Sequence, residues 1–131
     1  MQALDTNVLL RFLLQDDPGQ CAQVVALFNE AAADGRRFVI HNLVVLELVW
    51  VLENVYGHER PAILDALEKL EALPAVGFAD SAGLRRFRQL ARGSRLGLED
   101  LLIGLESERL NAAPTLTFDR DAAKSPLFAR F

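Results

Sequence analysis

Short apolar segments that alternate with stretches of helical length constrain the fold of this chain most strongly. Four segments have strand length, and they cover residues 2–4, 38–41, 76–79 and 115–118. Between them, apolar residues recur at helical spacing over residues 7–14, 19–33, 43–56, 61–73, 81–91 and 98–110. Strands separated by helices predict an α/β fold whose parallel sheet is covered by helices on both faces.

Length and composition predict one soluble globular domain spanning residues 1–131. Hydrophobic residues make up 51% of the chain, which is too many for a disordered segment. Acidic residues exceed basic residues by 18 to 14, for a net charge of -4. This balance argues against a nucleic-acid binder that relies on a broadly basic surface. A single cysteine, Cys21, excludes an intramolecular disulfide framework and a zinc site built on several cysteines.

The sequence also predicts where the protein acts. The chain starts MQALDTN, with an aspartate at position 5, and so lacks the pattern of a secretory signal. The longest apolar stretch, residues 43–52, is interrupted by Glu47 and is too short to cross a bilayer. We therefore expect a cytoplasmic protein with no membrane segment.

The basic residues are concentrated in one stretch. Residues 84–95 contain five arginines and no acid: Arg85, Arg86, Arg88, Arg92 and Arg95. Without these five charges the balance is nine basic residues to 18 acidic ones, so the rest of the chain is strongly acidic. Such a run is most often a solvated helix face, but arginine also suits phosphate geometry. The stretch is therefore a candidate contact surface for RNA or for an acidic partner.

Two aspartates directly follow predicted strands. Asp5 follows residues 2–4, and Asp119 follows residues 115–118. In a parallel sheet the carboxyl ends of the strands line a ligand crevice, so both aspartates are candidates for a site there. Each also has a simpler reading, as an aspartate that caps a loop or a helix.

Two further acids lie in apolar helical segments. Glu47 has no polar residue within four positions on either side, which predicts that it is at least partly buried. A buried carboxylate needs a cation, supplied by an arginine or by a metal ion. Asp100 lies near a helix N-terminus, where interaction with the helix dipole is the simpler reading. Asp100 begins the apolar stripe of that helix, whereas Glu99 is expected to lie outward.

Carboxylates gathered without an accompanying histidine or cysteine cluster suit Mg²⁺ or Mn²⁺ rather than Zn²⁺. Several carboxylates in one place repel each other strongly, so a cation is needed to hold them together. Phosphodiester hydrolysis uses this arrangement, because the metal polarises the phosphate and activates a water molecule.

Four segments, in this order, resemble the PIN-domain family and, within it, the VapC-type toxins of bacterial toxin–antitoxin pairs. They are ALDTNVLLRFLLQDD, VLELVWVLENVYG, GLEDLLIG and LTFDRDA, and they extend from Leu4 to Ala122. The resemblance implies a three-layer α/β/α sandwich with a central parallel sheet. One departure is His41-Asn42, where the family often has a small hydroxyl residue or a proline.

The resemblance also implies function and site residues. It implies a Mg²⁺- or Mn²⁺-dependent endoribonuclease toxin, whose metal-binding and catalytic carboxylates are Asp5, Glu47, Asp100 and Asp119. Asn7 and Thr117 match positions that commonly support this cluster by hydrogen bonding. Asp121 is a candidate extra ligand or an ordinary loop acid. A cognate antitoxin that blocks the site, an RNA substrate and a homodimer are the partners that the resemblance implies.

Two alternatives stay open on the sequence. One is an inactive PIN-like domain that works by binding a partner. The other is a phosphatase that uses Asp5 as nucleophile, although such enzymes favour a second aspartate two positions later, where this chain has Asn7. The C-terminal segment SPLFARF is apolar and either closes the core or contacts a partner.

Overall fold

The structure is a computed structural model that describes residues 1–131, and it contains six α-helices and five short strands. The chain divides into two compact units, Met1–Ser81 and Ala82–Phe131. This division into units does not test the prediction that residues 1–131 form a single domain, and the single domain stays a prediction.

The first unit has a three-stranded parallel sheet in the order β1–β2–β3. Its elements along the chain are β1 (Gln2–Ala3), α1 (Thr6–Leu14), α2 (Pro18–Asp34), β2 (Phe38–Ile40), α3 (Asn42–Asn54), α4 (Arg60–Glu71) and β3 (Val76–Phe78). Gln2 aligns with Phe38, and Phe38 aligns with Val76, so the carboxyl ends of all three strands lie at one edge of this sheet. That edge holds the residues that follow each strand, including Asp5 after β1.

Apolar side chains from the helices and strands form the interior of the first unit. The rings of Phe12, Phe28 and Phe38 make a continuous aromatic contact, with centroids 5.5 Å and 6.1 Å apart. The same unit contains fully buried leucine and isoleucine side chains: Leu9, Ile40, Leu48, Leu52, Ile63, Leu64, Leu67 and Leu70. The predicted helical and strand segments of this unit are confirmed to within a few residues at their ends.

One detail of the helix starts differs from expectation. We expect Asn42 to cap α3, but His41 is the residue before the first turn and Asn42 is the first helical residue. The His41 side chain makes no capping bond, and its carbonyl oxygen instead accepts hydrogen bonds from Val44 N and Val45 N. At its other end α3 stops at Asn54 with Val55 as the C-cap, and Gly57 follows with φ +68°, a conformation that glycine adopts without strain.

The second unit pairs its two strands in parallel. It contains most of α5 (Ser81–Gly93), then α6 (Leu98–Arg109), β4 (Thr115–Thr117), a 3-10 turn (Ala122–Lys124) and β5 (Phe128–Arg130). Thr115 aligns with Phe128, and Thr117 aligns with Arg130. The Thr115 hydroxyl donates to Ser107 Oγ over 2.7 Å, which ties β4 to α6.

The C-terminal segment forms a strand that the sequence does not predict. Leu127 and Phe128 are buried, and both pack against Gly104 of α6. A Cβ atom at Gly104 would lie 2.9 Å from Leu127 Cβ, so only glycine allows this close approach. Within SPLFARF, the segment LF therefore closes the interior of the second unit, whereas Phe131 is exposed and its ring lies 4.7 Å from that of Phe118.

Candidate active site

Asp5 lies where β1 ends and α1 begins. Leu4 N donates to Val39 O over 3.0 Å, which fixes this point of the chain against β2. Asp5 is exposed and caps α1, because its Oδ1 accepts a hydrogen bond of 2.7 Å from Thr6 N. Capping is the simpler of the two roles predicted for Asp5, and this bond orients the carboxylate at the sheet edge.

The two residues after Asp5 differ in environment. Asn7 is exposed in the first turn of α1. Thr6 is the buried polar residue of the chain, and its Oγ1 is buried without a hydrogen-bond partner. An unpaired buried hydroxyl costs free energy, on the order of 1–3 kcal/mol. In the sequence, Thr6 is marked only by its position between Asp5 and Asn7.

The prediction that Glu47 is at least partly buried is wrong. Glu47 is exposed on α3, and it shares a face with Leu43 and Trp50, whose exposed fractions are 75% and 50%. The buried positions of the helix form a separate stripe: Val44, Val45, Leu48, Val49 and Leu52. The apolar composition of α3 therefore exceeds what its core-facing stripe needs, and the surplus lies on the surface around Glu47.

Asp100 and Asp119 influence each other within the second unit. Asp100 is half-buried in the first turn of α6. Its pKa is raised above the ordinary value, first by partial burial, then by the negative charges of Asp119 and Glu99. A cation between such carboxylates would relieve this repulsion.

Asp119 is held in a tight turn after β4. Its Oδ1 accepts hydrogen bonds from Asp121 N at 2.8 Å and from Ala122 N at 3.3 Å. Its own N–H donates to Thr117 Oγ1 over 3.0 Å. Thr117 thus supports the backbone of Asp119 rather than its carboxylate, and the Asp119 carboxylate stays exposed while oriented by two backbone donors.

Asp121 and Glu99 have different surroundings. The Asp121 side chain is 89% exposed and forms an ion pair of 3.2 Å with Lys124. Glu99 does not lie fully outward as expected, because its Oε1 is buried without a hydrogen-bond partner. Glu99 is the carboxylate of this region that sequence reasoning set aside, and its adjacency to Asp100 was the available signal.

The five arginines of the stretch 84–95 are not equivalent. Arg86 has a partner inside the second unit, because it forms an ion pair with Glu108 of α6. Arg85, Arg92 and Arg95 are exposed, and Arg88 is half-buried. Arg88 and Arg92 also take part in interactions inside the protein.

The donor chemistry of these residues fits a hard divalent cation. Asp5, Glu47, Asp100 and Asp119 offer only carboxylate oxygens, which Mg²⁺ and Mn²⁺ prefer. The pKa of Asp100 is raised by partial burial and then by the negative charges of Asp119 and Glu99, and Glu99 Oε1 is buried without a hydrogen-bond partner. The structure contains no group of three or more acidic, histidine or cysteine side chains placed to hold a metal ion. The structure thus places Asp100 near Asp119, and the ligand set stays a prediction.

Comparison with known proteins agrees with this chemistry. The PIN-domain family model matches residues 3–126, so the chain belongs to the PIN-domain family. This membership confirms the predicted family and, with the helices and parallel strands described above, the predicted α/β class of the fold.

A curated relative is more specific. The chain is 33% identical over 70 residues to a VapC ribonuclease of Aquifex aeolicus (strain VF5). The match covers 53% of this chain and 51% of the relative, so the chain spans about half the length of that protein.

None of the helices combines the length and the apolar composition that crossing a bilayer requires.

Proposed function

We propose that this PIN-domain protein is a Mg²⁺- or Mn²⁺-dependent endoribonuclease toxin of the VapC type. The observation that carries the proposal is the half-buried Asp100 in a chain of this family, whose pKa is raised by partial burial and then by the charges of Asp119 and Glu99. A charge imbalance of this kind is typical of sites tuned for chemistry. The printed name of the Aquifex relative supports the choice of RNA as substrate.

We propose Asp5, Glu47, Asp100 and Asp119 as the metal-binding and catalytic carboxylates. A bound divalent metal ion would supply charge neutralisation at the scissile phosphate and a more acidic water molecule. The protein contributes orientation: the Thr6 N–H fixes Asp5, and the Asp121 and Ala122 N–H groups fix Asp119. Single-stranded or looped RNA is the expected substrate form, because its phosphates are accessible.

Replacement of Asp5, Glu47 and Asp100 by their amides tests this assignment. Asp5→Asn and Asp100→Asn would be assayed on RNA in Mg²⁺ beside the control Asp34→Asn, an exposed aspartate whose partner is Arg36. Glu47→Gln would be paired with Glu30→Gln, which changes another exposed helical glutamate. We expect losses of at least about 100-fold in the site variants, since even outer-shell changes at metal sites cost 10- to 100-fold. Full activity of Asp5→Asn and Asp100→Asn would refute the assignment.

The same preparation separates the alternatives. An inactive binding domain would show no heat of Mg²⁺ or Mn²⁺ binding by calorimetry. A phosphatase would trap phosphate covalently on Asp5, whereas the proposed nuclease would not. Release of RNA fragments that depends on added Mg²⁺ supports the nuclease alone.

We extend the proposal to the cellular role. The expected partners are a cognate antitoxin encoded beside this chain and a second copy in a homodimer, both acting in the cytoplasm. Expression without the antitoxin should arrest growth, and Asp5→Ala should relieve the arrest. Arrest that persists in Asp5→Ala would show that the toxicity does not come from this site.

A further inference from the structure

Two phenylalanine side chains of the second unit are exposed and in contact with each other. The ring centroids of Phe118 and Phe131 lie 4.7 Å apart, and the two residues are 78% and 76% exposed. We call Phe118 and Phe131 the aromatic pair. Leu116, two positions before Phe118 in the chain, is 63% exposed. An exposed apolar region of this kind is often functional, because large apolar side chains gain stability from burial.

The packing of β4 explains why this region is open. Side chains alternate between the two faces of a strand, so Thr115 and Leu116 lie on opposite faces of β4. The Thr115 hydroxyl donates to Ser107 Oγ of α6, and Phe128, which aligns with Thr115 in β5, is buried. The face that carries Leu116 is therefore turned away from α6, and the exposed ring of Phe118 follows it at the end of the strand.

The aromatic pair is anchored beside Asp119. Phe118 directly precedes Asp119 in the chain, so their Cα atoms are about 3.8 Å apart. Phe131 N donates to Thr117 O over 2.8 Å, and Asp119 N donates to Thr117 Oγ1 over 3.0 Å. Thr117 thus holds both Phe131 and Asp119, which places the aromatic pair next to one of the proposed catalytic carboxylates.

One member of the aromatic pair lies outside the region that the family model matches. That match covers residues 3–126, and Phe131 follows β5 beyond its end. The ring contact therefore joins a residue of the matched region to a residue outside it, and membership of the family does not by itself predict the contact.

The size and surroundings of this region favour a nucleobase over a second protein copy. The two phenylalanines and Leu116 offer roughly 400 Å² of exposed apolar surface, based on about 150–250 Å² for each aromatic side chain. A stable protein interface covers about 800 Å² on each partner. A stacked base needs only an open ring face and a cation near its phosphate. Exposed Arg130 directly precedes Phe131 and supplies such a charge.

We infer that the aromatic pair stacks an unpaired base of the RNA substrate and so places the adjoining phosphate at Asp119. This inference rests on the proposed function, which brings an RNA phosphate to the carboxylates. Stacking on an aromatic ring tolerates every base, so the contact selects unpaired RNA and not a base sequence. Both phenylalanines bind the substrate, and neither takes part in the chemical step.

Binding measurements in the absence of cleavage test this inference. Fluorescence anisotropy in metal-free buffer would compare a labelled single-stranded RNA with an abasic RNA of equal length, which keeps the phosphates and lacks the bases. The test variant is Phe118→Ala/Phe131→Ala, and Phe118→Tyr/Phe131→Tyr retains the rings. The matched control is Tyr56→Ala, which removes an exposed aromatic side chain of the first unit.

The expected result is a loss of affinity that depends on the bases. The alanine variant should bind the ordinary RNA roughly 5- to 150-fold more weakly than the wild type, which is the usual contribution of one stacked base. Its affinity for the abasic RNA should be unchanged, because that strand has nothing to stack. The tyrosine variant and Tyr56→Ala should keep the wild-type affinities. Circular dichroism would establish that every variant is folded.

Two outcomes would overturn the inference. The first is an alanine variant that binds the ordinary RNA as tightly as Tyr56→Ala does. If sedimentation velocity then shows that a wild-type dimer has become monomeric in this variant, the aromatic pair belongs to an interface between two copies. The second is an equal loss of affinity for the ordinary and the abasic RNA, which stacking would not produce.

Cleavage in Mg²⁺ is scored separately, so that the two proposals fail independently. Base-dependent binding by the aromatic pair without any cleavage would count against the proposed function and leave the aromatic pair assigned to RNA. Cleavage by the wild type, together with unchanged RNA binding in the alanine variant, would refute the role of the aromatic pair alone.

Discussion

The two units of this protein have opposite charge and use their carboxylates differently. The first unit, residues 1–81, has five basic and 12 acidic residues, a net charge of -7, whereas the second has +3. In the first unit Asp5 is exposed and engaged as a helix cap, and Glu47 is exposed. In the second unit Asp100 is half-buried beside other carboxylates, and its pKa is raised.

This difference shows that the net charge of the whole chain describes neither unit. The chain as a whole is acidic, but its acidic and basic residues are separated along the sequence. The excess of acid lies in the first unit, and the second unit combines an arginine-rich helix with Asp100 and Asp119, whose negative charges interact. A polyanionic substrate and a divalent cation are both compatible with the second unit.

The largest expected effect concerns cation binding, which should depend on Asp100. Mg²⁺ at 100 times its dissociation constant should stabilise the wild-type protein by about 2.7 kcal/mol, because a ligand that binds only the folded state shifts unfolding. Asp100→Asn should lose most of this gain in thermal unfolding experiments, and Asp34→Asn should keep it. Equal stabilisation of the wild type and Asp100→Asn would place the cation elsewhere.

The Asp100→Asn variant also tests how the stability of the protein depends on pH, and the direction of the expected change is defined. Because the pKa of Asp100 is raised in the folded state, the folded protein holds this proton more tightly than the unfolded chain. Without metal, the stability of the wild type relative to Asp100→Asn should therefore fall as pH rises from the ordinary aspartate pKa of about 3.9 through the raised value. Urea unfolding at several pH values measures this difference, and a rise would contradict the assignment.

Packing in the second unit should be sensitive at Gly104. Gly104→Ala places a Cβ atom 2.9 Å from Leu127 Cβ and 3.0 Å from Phe128 Cε2. Overpacking costs about 1–3 kcal/mol, offset by about 1 kcal/mol of better helix propensity, so we expect a net loss of up to about 2 kcal/mol in chemical denaturation. Gly93→Ala is the control, because a Cβ there meets nothing within 4 Å. Equal effects at both positions would show that β5 is not held against α6.

The smallest expected effect tests the first unit at Thr6. Thr6→Val removes a buried hydroxyl that has no partner, so the free energy of unfolding should rise by about 1 kcal/mol or stay unchanged. Thermal unfolding of Thr6→Val and Thr6→Ser measures the contribution of the methyl group and the hydroxyl separately. A loss of stability in Thr6→Val greater than in Thr6→Ser would reveal a hydrogen bond that the hydroxyl makes in solution.

Much of the fold was predictable because its signals are local. Helical spacing of apolar residues located all six helices, and short β-branched or aromatic segments located β2 to β4. Asp5 and Asp119 were identified by their positions after strands, which needs only the order of elements. The capping bonds of both aspartates are also local, since each joins residues at most three positions apart.

The errors came from contacts between distant residues. The segment 128–130 is too short to be predicted as a strand by itself, and it becomes β5 only because it pairs with residues 115–117. Glu47 illustrates the same limit for burial. An apolar helix can be covered on any side, and the sequence does not state which side its neighbours cover.

The sequence by itself therefore determined the order of helices and strands, the family and the positions of the acids along the chain. Tertiary structure decided the environment of each acid: exposure for Glu47, partial burial with a raised pKa for Asp100, and an unpaired buried oxygen for Glu99. The physical reason is that desolvation and charge repulsion act through space. They depend on which side chains lie near one another, and local sequence patterns do not contain that information.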